Sequence, residues 1–172
     1  MKKINHILAI FLSIITLICF IKYKEITILL FLPYIALPFI FKLKDKYTII
    51  YLVFGFIGLF NGFLLHFYKI ISWYDTFTHF VWGIVAGILS LFYLDIFKIK
   101  CNIIFKILFI IIFCLGLSAF WEIFEFTVDS IIDSDMQRRA TGVFDTMKDI
   151  IAGLFGSISF AVSYLFKYKI SN

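Results

Sequence analysis

The chain has 172 residues, 63% of them hydrophobic and 21% aromatic, with 16% charged and a formal net charge of +5. Soluble domains are about half apolar, so this composition excludes an ordinary water-soluble fold and places the chain in a bilayer. The basic residues fall in short clusters between apolar blocks instead of forming one patch, so the charge is read as membrane topology and nucleic acid is not expected as a partner.

Backbone groups in lipid must be satisfied internally, and the long apolar runs lack the alternation of barrel strands. The expectation is an all-α polytopic transmembrane bundle of about six spans forming a single domain over residues 1–172. The first, Ile7–Ile21, follows Lys2 and Lys3 as a signal peptide would. The bulky, basic Lys22-Tyr23-Lys24 offers no cleavage site, so the segment is expected to stay as a span. The second, Ile26–Phe41, contains Pro33 and Pro38 and should be kinked, because proline removes backbone donors. The remaining spans are expected at Tyr47–Phe67, Phe77–Phe97, Ile103–Phe126 and Phe144–Phe166. Ten of the sixteen basic residues lie on the side of Lys2, Lys42, Lys98, Lys106 and Lys167, which predicts cytoplasmic N- and C-termini. Cys19, Cys101 and Cys114 show no ligand spacing and read as plain thiols. Trp73, Trp82, Trp121, Tyr68 and Tyr74 read as an aromatic belt, and His6 as an interfacial side chain.

Ionisable residues inside spans are functional-site candidates by default. Asp75 and His79 open the fourth span, Glu122 and Glu125 lie near the end of the fifth, and Asp145 and Asp149 open the sixth. With alternating helix direction all three pairs fall at one level, the expected outer face, and His66 at the end of the third span joins them. Residues three or four apart share a helix face. Asp75 and His79 continue into Gly83 and Gly87, Asp145 and Asp149 into Gly153 and Ser157, Glu122 into Ser118, and His66 into Gly62 and Gly58. Small residues at that spacing mark close helix packing, so the polar pairs should point into a bundle of spans three to six, with the first two spans outside it.

Carboxylates crowded in a poorly solvated site raise one another's pKa, so something must neutralise them. A divalent metal held by Asp75, His79, Glu122, Glu125, Asp145 and Asp149 is one solution, suiting Mn, Fe, Mg or Zn by ligand type and able to activate water or polarise a phosphoryl oxygen. An internal ion-pair network through Arg138, Arg139 and Lys148 is a second, and a carboxylate-gated transport path a third. Almost no polar residues lie below Gly83, Gly116 and Gly153, which counts against transport. The polar loop from Asp129 to Gly142 reads as a solvated connection or a lid, with Arg138 and Arg139 as anion contacts, since guanidinium pairs well with phosphate.

The segments Tyr74-Asp75-Thr76-Phe77-Thr78-His79-Phe80, Trp121-Glu122-Ile123-Phe124-Glu125-Phe126 and Asp145-Thr146-Met147-Lys148-Asp149 resemble the YjdF-type family of bacterial inner-membrane proteins of unknown function. More distantly they are similar to VanZ-like membrane proteins, which are associated with lowered sensitivity to a glycopeptide antibiotic and hence with the cell envelope. That second resemblance implies roles for Asp75, His79, Glu122 or Glu125, Gln137, Arg139, Asp145 and Gly153. Asp149 departs from it, standing where the VanZ-like pattern has Asn. The resemblance implies a bacterial cytoplasmic-membrane location; a metal site at the membrane edge would suit an envelope lipid or lipid-linked molecule that it binds or processes, with membrane lipids as partners.

Overall fold

A computed structural model describes residues 1–137 and 142–171. Every regular element among them is helical, and the chain divides into two compact units, residues 1–74 and 75–172. Four helices are long and apolar enough to cross a membrane: Lys2–Tyr23, Tyr74–Ile96, Ile103–Ile132 and Val143–Ile170.

In the N-terminal unit, α1 (Lys2–Tyr23) turns Ile4, Ile7, Ile14 and Ile18 outward and buries Leu12, Ile15 and Cys19. Its buried Asn5 donates from Nδ2 to the Asp45 carbonyl at 3.0 Å, tying α1 to the start of α3. The helix closes at Lys24, whose positive φ of 55° lets its N–H reach the Phe20 carbonyl. The expected second span is a 3₁₀ turn, Ile26–Leu30, leading into α2 (Phe31–Ile40). Pro33 occupies the first turn of α2, where a missing N–H is harmless, and Pro38 lies inside the helix.

The expected third span also changes pitch, from α3 (Asp45–Phe56) to a π-helix over Ile57–Leu64. Tyr74 donates its hydroxyl to the Ile57 carbonyl at 2.9 Å, at the point where the pitch changes. Gly58 and Gly62, expected to receive another helix, both face the Tyr68 ring instead. A short α4 (Phe67–Ile70) follows, capped by His66 in the left-handed region. The third expected span therefore belongs to the same compact unit as the first two.

The C-terminal unit holds α5 (Tyr74–Ile96), α6 (Ile103–Ile132) and α7 (Val143–Ser171). At 1.5 Å per residue each reaches or exceeds the ~30 Å hydrocarbon core. The glycines set how closely α5 and α7 approach. A Cβ on Gly83 would collide with the Gly153 carbonyl, and one on Gly156 with the Phe80 carbonyl. Gly87 faces the Phe160 ring. Cys114 of α6 donates to the same Gly153 carbonyl at 3.4 Å, so this exposed stretch of α7 backbone serves both neighbours. All three cysteines are free thiols. Ile104, Leu108, Ile112, Phe120 and Ile123 line the outer face of α6 as lipid-facing residues.

Asn102 caps α6, its Oδ1 accepting from the Phe105 N–H at 2.8 Å. Asn102→Ala is expected to cost about 1 kcal/mol, read as a lower midpoint in thermal unfolding of the detergent-solubilised protein. α6 continues to Ile132, past its expected end at Phe126, so Glu122 and Glu125 lie well inside the helix.

Candidate functional site

The polar residues of the C-terminal unit converge for a local reason. Asp75 and Asp145 stand in the first turns of α5 and α7, where the unpaired amides and the helix dipole favour a negative charge. One turn further on, His79 and Asp149 share their faces. Close approach of α5 and α7 over Gly83, Gly153 and Gly156 then brings the two faces together.

His79 Nε2 lies 3.9 Å from Asp75 Oδ1 and 3.9 Å from Asp149 Oδ2. Ligand atoms of these three residues all fall within 4.8 Å of one another. Separations of 3.9 Å are too long for hydrogen bonds. They are close to what a shared cation requires: donors 2.0–2.2 Å from a zinc-like ion sit about 3–4 Å apart. His79 is only 9% exposed and Asp149 3%, so the group is largely withdrawn from water.

Glu122 of α6 is 5% exposed, and its Oε1 is buried without a hydrogen-bond partner. It lies near enough to interact electrostatically with His79 and Asp149. A buried carboxylate oxygen with nothing to accept from carries a substantial desolvation cost. The other two predicted ligands are engaged. Asp145 takes the Lys148 ammonium at 2.7 Å, and Glu125 accepts from Trp121 Nε1 at 2.7 Å. Lys148 also lies 4.0 Å from Asp149 Oδ1.

Beside this cluster the chain after α6 is anchored by Asp129, which the sequence places on the face of Glu122 and Glu125 and at the start of the polar loop. Asp129 accepts from Ser134 Oγ at 2.5 Å, from the Met136 N–H at 2.9 Å and from the Gln137 N–H at 3.0 Å. Gln137 in turn donates from Nε2 to the Glu122 carbonyl and to Thr146 Oγ1, joining α6 to α7 over the carboxylates. Thr146 carried no sequence signal beyond its place between two aspartates. Asp129→Ala is expected to remove three acceptor contacts, costing about 1–3 kcal/mol, and to expose the segment after α6 to limited proteolysis. Arg138 and Arg139, the expected anion contacts, lie outside the described residues. His66 sits in the N-terminal unit, where its Nε2 pairs with the Tyr23 hydroxyl at 2.7 Å.

Buried polar residues further along the helices do not extend the site. Ser90 and Ser157 each donate to a carbonyl of their own helix, Gly87 and Leu154 respectively. Both hydroxyls are satisfied locally.

These features define a multi-pass helical membrane protein with an acidic, histidine-containing cluster at the starts of α5 and α7, beside Glu122 of α6. Over residues 4–169 the chain matches the family described as predicted membrane protein (DUF2238), and it belongs to that family, which is the YjdF-type family its motifs resemble. No curated protein and no solved structure matches the chain.

Proposed function

We propose that this is a bacterial cytoplasmic-membrane protein that holds a divalent cation at Asp75, His79 and Asp149 and uses it on an envelope lipid or lipid-linked molecule. The observation that carries the reading is the convergence of these three donors beside the buried carboxylate of Glu122, whose Oε1 has no hydrogen-bond partner. Two carboxylates, a histidine and a nearby glutamate form an oxygen-rich set with one nitrogen, suited to Mn, Fe, Mg or Zn. Bound there, the ion would supply Lewis-acid polarisation of a phosphoryl or carbonyl oxygen. The protein's own contribution is to orient the donors on two helices locked by glycine contacts and to keep water scarce around His79 and Asp149. A substrate anchored in the bilayer would reach such a site laterally, at the membrane edge. The VanZ-like resemblance of Asp75, His79 and Asp145 supports an envelope setting.

A second reading has its own observation. Lys148 already pairs with Asp145 and approaches Asp149, so the cluster also resembles a structural ion network along the start of α7. Metal analysis of the purified full-length protein separates the two. Wild type equilibrated with Mn or Zn is expected to retain about one ion per chain, and an Asp75→Asn, Glu122→Gln double variant to retain almost none. Wild type that holds no stoichiometric metal sinks the metal reading in favour of the ion network.

A further inference from the structure

At the opposite end of α5 the same unit holds a cleft of about 460 Å³, lined by Leu91, Leu94, Asp95, Lys98, Ile99, Lys100, Lys106 and Tyr164. Twenty residues of helix separate Asp75 from Asp95, about 30 Å, which puts this cleft at the other membrane surface from the carboxylate cluster. Three ammonium groups and one carboxylate leave it with a formal excess of two positive charges.

Its construction is specific. Helix α5 ends in a tight reversal at Lys98, whose positive φ of 53° accompanies N–H bonds from Lys98 to Asp95 and from Ile99 to Leu94. That reversal carries Lys98 and Ile99 onto the rim. Lys106, one turn into α6, donates from Nζ to the Tyr164 hydroxyl of α7 at 3.5 Å, bridging the two helices that close the far side. Leu91, Leu94 and Ile99 form an apolar wall beside these donors. Cationic donors against an apolar wall at a membrane surface match a phosphate that carries hydrocarbon. Basic pockets between membrane helices are a recurrent way of holding anionic headgroups.

We infer that this cleft is a binding site for an anionic phosphate group at the membrane surface, held by Lys98, Lys100 and Lys106. It uses none of the residues of the carboxylate cluster and stands or falls separately from the metal reading. The lysines act as compact point charges and Tyr164 holds Lys106 in place. Each lysine near such a surface contributes about a fivefold change in affinity.

The test titrates purified full-length protein in neutral detergent with short-chain phosphatidylglycerol, short-chain phosphatidylcholine and inorganic phosphate, with occupancy read by native mass spectrometry. Wild type is expected to prefer phosphatidylglycerol to phosphatidylcholine about tenfold or more. A Lys98→Gln, Lys100→Gln, Lys106→Gln variant should lose that preference at unchanged helicity. A Lys167→Gln, Lys169→Gln variant, which alters basic residues of α7 outside the cleft, should keep it. If millimolar inorganic phosphate displaces the lipid, the natural occupant is a soluble phosphate; if it does not, the occupant is a lipid headgroup. Equal preference in the triple variant and wild type, or equal loss in both variants, overturns the inference.

Discussion

Replacing Asp149 with Asn is expected to lower the affinity of the purified protein for Mn(II) or Zn(II) about 100-fold or more while leaving its shape nearly unchanged. The amide keeps the volume of the carboxylate but surrenders its charge, and Asp149 is one of the three residues, among those described, whose donor atoms converge within 4.8 Å. Even partners one step removed from a metal typically cost 10–100-fold when lost, so a direct donor should cost at least as much. His79→Ala should act in the same direction. Glu125→Gln provides the contrast, because Glu125 is occupied by Trp121 Nε1 and is expected to shift metal affinity by no more than about twofold. A titration in which Asp149→Asn binds as tightly as wild type, but melts at a lower temperature, would assign Asp149 to the Lys148 ion network instead.

Larger residues at the α5–α7 contact should unsettle both stability and the site. At Gly83 the added Cβ would meet the Gly153 carbonyl and the Ser157 N–H, and at Gly156 it would meet the Phe80 carbonyl, with the Gly83 Cα 3.1 Å away. These are backbone atoms and cannot rotate aside. Gly83→Val and Gly156→Ala are each expected to cost about 1–3 kcal/mol by overpacking, a fall of roughly 2–12 °C in the unfolding midpoint for a chain of this size. Separation of α5 from α7 also separates Asp75 and His79 from Asp149, so metal binding should weaken in the same variants. Gly116→Ala is the control: a Cβ there meets nothing within 4 Å, and replacing glycine inside a helix should be neutral or stabilising by up to about 1 kcal/mol. Equal losses at Gly83 and Gly116 would show that helix propensity, and not the crossing, sets the effect.

Much of this protein was legible before any coordinates. Membrane residence, the all-helical class and four of the spans follow from apolar runs long enough to cross a bilayer, because helix length and hydrophobicity are local properties. The i, i+4 pairs Asp75–His79 and Asp145–Asp149 and the glycines beneath them were visible for the same reason, since helical phase depends only on sequence spacing. Other features depended on atoms distant in the chain. Gly58 and Gly62 share a face as their spacing indicates, but that face seats the Tyr68 ring and not another helix, which spacing alone cannot anticipate. Only tertiary packing separated six candidate ligands into three that converge, one buried beside them and two already engaged by Trp121 and Lys148. Only packing revealed the lysine cleft, where the neighbouring Lys98 and Lys106 meet Tyr164, 58 residues beyond Lys106. Periodicity tells which face a side chain occupies, but which faces meet, and at what distance, is decided where backbones without side chains let helices touch.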